Sequence, residues 1–220
     1  MIEIRQKDLK AVALAMAVKD LRYYLQGVLI EFNRAQTRIV ATDGHRMHMI
    51  QIEGSGMPCQ PVSFIMPADL VKHCIKVKGP RGIVDPIITL SYESVGGKIE
   101  ARLPDGSSIV ASAIDGKFPD YGRIVRDVYA LKPENDGEPL AQVYNQSYVS
   151  DAAEALAIYL EHKGSTPPAI GLRPRGASCG VLACNEFLAM IMPMRGELSP
   201  LPRPSFGEPM QAPEPLQAVA

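Results

Sequence analysis

Residues 62–113 read VSFIMPADLVKHCIKVKGPRGIVDPIITLSYESVGGKIEARLPDGSSIVASA. The apolar run 62–65 suits a short strand. Met66-Pro67-Ala68-Asp69 then opens a helix, because the fixed φ of proline fits a first helical turn. Leu70, Val71, Cys74 and Ile75 fall on one face of that helix. Three alternating runs follow, at 88–92, 98–103 and 108–113. Gly96-Gly97 and Asp105-Gly106 lie between them and supply the positive φ that tight hairpins need. The stretch is one β-α-β-β-β unit.

The same pattern extends in both directions. Upstream, a strand at 2–4 precedes a helix in which Leu9, Val12, Ala13 and Met16 share a face. Strands at 24–32, 37–42 and 45–52 follow, with turns at Asn33 and Gly44. Downstream, a strand at 140–144 precedes a helix capped by Asn145 or Ser147 and carrying Tyr148, Ala152, Ala155, Leu156 and Tyr159. Strands at 170–173, 181–184 and 187–192 complete a third unit. Three such units in series predict an α+β fold. One unit cannot cover both faces of its helix and sheet. The units therefore pack side by side, helices on a common inner face and antiparallel sheets outside. The Pro/Gly-rich run LKPENDGEP from Leu131 reads as a linker. The expected division is 1–130 (two units), 139–195 (one unit) and a flexible Pro-rich tail at 196–220.

Composition narrows the function. The chain has 220 residues, 46% of them hydrophobic, and a net charge of −1. Glu197, Glu208 and Glu214 against Arg203 give the tail −2 and leave the rest at +1. That balance excludes a protein gripping DNA by bulk charge, but not one holding it topologically with bases on an inner surface. No apolar run approaches the roughly 20 residues of a membrane span, and MIEIRQKDLK is no signal peptide, so a cytoplasmic location is expected. Cys59, Cys74, Cys179 and Cys184 form no C-x-x-C pair and read as reduced thiols. No nucleophile–base pair, metal spacing or phosphate loop stands out, and Gly96-Gly97-Lys98 is a turn. Neither catalysis nor a cofactor is expected.

Four motifs carry a family resemblance. Residues 22–27 (RYYLQG) resemble the RYYLNG of the bacterial DNA sliding clamp, the DNA polymerase III beta subunit family. Residues 41–46 (ATDGHR), 116–121 (GKFPDY) and 191–195 (IMPMR) are similar to that family's ATDGHR, G-[RK]-FPDY and closing MPMR, in the same order. The resemblance covers nearly all of residues 1–195. It implies a non-enzymatic DNA clamp fold that encircles double-stranded DNA as a polymerase processivity factor. It also implies a hydrophobic pocket for short peptides of the polymerase and the clamp loader. Carried over residue by residue, that pocket is Leu25, Thr42, Gly44, His45, Arg46, Met47, Pro119, Arg123, Ile124, Met190, Met192, Pro193, Met194 and Arg195. Methionine suits a site serving several partners, and Arg46, Arg123 and His45 suit peptide carbonyls or an acidic flank. The DNA-binding set is Lys19, Arg22, Tyr23, Tyr24, Lys72 and Lys76.

Each has a plainer reading. Met192 and Met194 taken singly are core strand residues, His45 a turn residue and Pro119 a loop stop. Arg22 pairs with an acid, one of Tyr23 and Tyr24 packs in the core, and Lys72 and Lys76 are a solvated helix face. Bacterial clamps carry six units per chain and close as dimers; four-unit clamps close as trimers. Three units here imply a homotetramer of twelve, with two-fold interfaces between third units and between first units. The alternative is a non-encircling module that intercepts clamp-binding partners.

Overall fold

The computed structural model describes residues 1–54, 60–79, 81–82, 85–130, 143–161, 172–175 and 179–195. The linker, the tail, Cys59 and residues 140–142 and 170–171 of two expected strands lie outside the described residues.

The first unit is β1 (Ile2–Arg5), α1 (Gln6–Ala13), β2 (Gly27–Phe32), β3 (Gln36–Thr42) and β4 (Arg46–Glu53). The second is β5 (Val62–Pro67), α2 (Ala68–Lys76), β6 (Ile87–Glu93), β7 (Lys98–Arg102) and β8 (Ser108–Ser112). A further helix, α3 (Tyr121–Ala130), leads to the third unit: α4 (Gln146–Tyr159), β9 (Arg173–Arg175), β10 (Cys179–Cys184) and β11 (Phe187–Ile191). The Asn145 side chain accepts from the Ser147 amide at 2.9 Å and caps α4. The Gln6 amide donates to the Cys74 and Val77 carbonyls at 2.6 and 2.7 Å, closing the C-terminal end of α2 from another unit.

The first two units exchange their first strands. β1 pairs with β6, and β5 pairs with β2. The sheets run β1-β6-β7-β8 and β5-β2-β3-β4-β11-β10-β9. In β1, buried Ile2 and Ile4 alternate with exposed Glu3, as a strand with one buried face requires. Leu9, Val12, Leu70, Val71, Cys74, Ala155 and Leu156 from the three helices join one core beneath the sheets.

Two expectations change. The units do not follow chain order in space: β4 pairs antiparallel with β11, Met190 opposite Met47. The first unit is therefore central, with the second and third at the ends. An interface between first units is not available through β4, which β11 already occupies. The strand expected at 24–32 begins later. Tyr23–Leu25 is a 3-10 turn, and Leu25 donates to the Arg22 carbonyl at 2.8 Å. The strand starts at Gly27, where a Cβ would fall 2.7 Å from the Met66 carbonyl oxygen.

α3 fills the stretch before Leu131 to which the unit pattern assigns no element. Tyr121, Val125 and Val128 follow i, i+4, i+7 spacing, and the Asp120 carboxylate accepts from the Arg123 amide at 3.0 Å. The apolar face lies on the outer side of the large sheet, in a cluster with Leu29, Val40, Met47, Val181, Leu188 and Met190. Tyr121 also hydrogen-bonds to Glu31.

His48 ties the first–third joint to α1. It is fully buried, its Nδ1 lies 3.1 Å from the Ala11 carbonyl, and its ring meets Phe187 edge-on at 5.7 Å. Burial pushes its pKa down to about 4 from 6.5. The unfolded chain takes up a proton at His48 before the folded one does. Stability is thus full above pH 6.5 and falls as pH drops towards 4, by roughly 3 kcal/mol. Urea melts at pH 7.5 and 5 should show the fall, and His48→Gln should flatten it. Equal pH slopes for the two chains would rule this out.

Candidate peptide-docking and DNA-facing surfaces

The turn between β3 and β4 organises the first surface. Gly44 has φ 91°, a left-handed geometry that favours glycine. The Thr42 hydroxyl accepts from the Gly44 amide at 3.0 Å and donates to the Arg46 carbonyl at 2.6 Å. Asp43 accepts from the His45 and Arg46 amides at 2.9 and 3.0 Å. Asp43 was absent from the expected site, yet it fixes the turn; its position directly before Gly44-His45 was the signal. The His45 carbonyl accepts from the Met192 amide at 2.8 Å, and the Val143 carbonyl accepts from the Met194 amide at 2.7 Å. The first bond holds the segment after β11 against the turn, and the second holds it against the chain that leads into α4.

The expected pocket residues separate into two layers. Leu25, Thr42, Met47 and Met190 are buried, and Pro119 and Pro193 are half-buried. Met192 and Met194 are each 52% exposed and Ile124 is 46% exposed, so the plain reading of the two methionines as core fails. Gly44, His45, Arg123 and Arg195 are exposed as well. Met47 and Met190 join the buried cluster that also takes Tyr121 and Val128 of α3. A cavity of about 660 Å³ lies elsewhere, between β5 and the β6–β7 hairpin, and shares only Pro119 with the expected set.

Arg46 is committed within the chain rather than to a ligand. Its Nε donates to Asp43 at 3.0 Å, its Nη1 to Asp151 of α4, and its guanidinium lies 4.5 Å over the Tyr148 ring. It braces the third unit against the first. Lys7 acts similarly across all three units, with Asp85 and Glu161 each 2.9 Å away.

The DNA-binding set also divides. Arg22 forks onto Asp20 at 3.0 and 2.7 Å and donates to the Asp43 carbonyl at 2.9 Å. This Arg22 fork lowers the Asp20 carboxyl to about 2. Tyr23 donates to the Asp115 carbonyl at 3.0 Å, and Tyr24 packs in the outer cluster with Phe118. The plain reading of this segment therefore holds for Arg22, which pairs with an acid, and for Tyr24, which packs in a core cluster. Lys19 is exposed, with φ 55°. Lys72 and Lys76 are exposed on α2, and Lys10, which the motif reading missed, is exposed on α1. Glu154 on α4 is the exposed acid of that layer's third helix. Among the described residues, no group of three or more His, Cys, Asp and Glu side chains is arranged to hold a metal. Cys74 and Cys184 are free thiols. No helix among these residues is long and apolar enough to cross a membrane.

The central-domain model of the DNA polymerase III beta subunit matches residues 3–120, more than half of the chain. The beta sliding clamp of Pseudomonas aeruginosa is 36% identical over 118 residues, which is 50% of this chain and 29% of that protein. The beta sliding clamp of Vibrio cholerae is 27% identical over 136 residues, or 61% of this chain and 35% of that one. These matches thus span about a third of the relatives' lengths. A crystal structure of the Pseudomonas aeruginosa DNA polymerase III beta subunit superposes with a TM-score of 0.61 at 21% identity, covering 88% of this chain and 65% of that one.

Proposed function

The chain belongs to the DNA polymerase III beta subunit family, and from that premise we propose that it is a DNA sliding clamp. In this reading several copies close a ring around double-stranded DNA. The ring holds a polymerase on its template through a short peptide docked beside Met192 and Met194. The clamp has an accessory role, with no chemistry of its own. The observation that carries the reading is the continuous seven-stranded sheet. It joins the third unit to the first edge to edge and leaves α1, α2 and α4 under a shared outer layer, an arc that further copies extend.

Copies related by two-fold axes at the second and third units make a homotetramer of twelve units. The relevant test is retention on closed circular DNA with release on linearisation. A clamp shows both, whereas a module that only intercepts clamp-binding proteins shows neither.

The DNA face in this reading is the exposed row on α1 and α2. Lys72 and Lys76 are one turn apart and share a face. Replacing both with Glu should weaken DNA association and lower the log–log salt slope by about 2 per subunit engaged, while peptide affinity stays the same. Titrations at several salt concentrations measure both. An unchanged slope removes α2 from the DNA face.

A further inference from the structure

The cavity of about 660 Å³ between β5 and the β6–β7 hairpin has the size of a ligand site. Leu29 and Ile65 of the large sheet line it, with Ile114 and Phe118 from the segment after β8. The Tyr92 ring also lines it and stacks on Phe64 at 4.7 Å between centroids. Three charged side chains complete the lining: Glu31, Asp115 and Lys117, a net charge of −1. Asp115 and Lys117 are exposed at the rim, and Glu31 is half-buried. Aromatic and aliphatic walls with surplus acid suit a segment that carries one cation between apolar groups.

This chain contains such a segment. Residues 198–207 read LSPLPRPSFG, with a net charge of +1 between Glu197 and Glu208. Arg203 is the sole base after Arg195, and Phe206 the sole aromatic residue. Pro200, Pro202 and Pro204 restrict φ to values of an extended chain, the form in which proline segments dock on aromatic grooves at low entropic cost.

The reach is sufficient. Leu188, Met49, Val40 and Leu29 form one cross-sheet row, three strand spacings long. At about 4.8 Å per spacing, Leu188 is roughly 14 Å from Leu29. The seven residues from Leu188 to Arg195 add at most about 23 Å along the strand, which puts Arg195 within roughly 27 Å of Leu29. Extended chain from Arg195 reaches about 26 Å at Arg203 and about 36 Å at Phe206.

We propose that the cavity is the seat of this chain's own segment 198–207, with Arg203 beside Glu31 and Asp115 and Phe206 among the apolar walls. The contact is made within one chain and does not depend on ring closure.

Photo-cross-linking of the full chain tests it. With p-benzoylphenylalanine at position 206, irradiation should join that position to residues 92–97 or 113–119, read by peptide mass mapping. In a mixture of isotopically light and heavy chains, each cross-linked pair should be wholly light or wholly heavy. Arg203→Glu and Asp115→Lys should each lower the yield several-fold, and the two together should restore it. Position 115 is exposed, so the melting curve of each variant should match that of the parent chain. Cross-links that map outside the cavity, or that join light to heavy chains, would overturn the in-chain seat. Equal yields from all four chains would overturn the pairing that defines it.

Discussion

Replacing Met192 and Met194 together with Glu should abolish binding of a clamp-binding peptide, a loss of at least about 100-fold in affinity, with the fold and native mass intact. Both side chains are half exposed, and the Met192 amide is bonded to the His45 turn. Apolar anchors at the centre of a small interface each contribute about 2 kcal/mol or more, and every 1.4 kcal/mol is tenfold. Charge at these positions costs the folded chain little, because water reaches both already. Met47 and Met190 are the contrast. They are opposed on β4 and β11 and buried in one apolar cluster, so a charge there would unfold the joint between units. Fluorescence anisotropy of a labelled peptide reads the affinity, and a thermal melt reads the fold. Tight binding by the double variant would remove the two methionines from the docking surface.

The lifetime on DNA should depend on topology rather than on affinity. A net charge of −1 gives the chain no bulk attraction to phosphate. A ring that holds DNA by closure should remain on a nicked circle through a high-salt wash that strips charge-bound proteins. Cutting the circle once should then release it at the ends, shortening retention by at least about tenfold. Loss at the same rate from circular and linear DNA would mean that the chain does not encircle its partner. In that case the Met192–Met194 surface would serve an interceptor.

Most of the architecture was legible because it is local. Period-two alternation marked β6, β7 and β8, and Gly96-Gly97 and Asp105-Gly106 marked the hairpins. Gly96 and Gly97 indeed take φ of 94° and 62°. The order of units in space was not legible. β4 and β11 are far apart in sequence, and nothing in either strand names its partner. Apolar patterning shows that a strand is buried without saying against what. α3 was readable in principle from Tyr121, Val125 and Val128. Gly122 and the charged Arg123, Arg126 and Asp127 between them disguised it.

The candidate site was legible only in part, for a related reason. A motif identifies residue types, whereas the folded chain decides which are already engaged. Arg46 and Arg22 read as ligand-facing cations, yet Asp43, Asp151 and Asp20 occupy them. Those acids were visible in the sequence, but Asp151 reaches Arg46 only because the third unit docks on the first. Lys10 was missed because it lies outside every motif and only the packing of α1 exposes it.

The most direct test of the ring is the native mass of the chain in solution, by light scattering or native mass spectrometry at micromolar concentration. A closed ring of twelve units gives a discrete species about four times the 23.9 kDa chain. A monomer that persists at that concentration would contradict it.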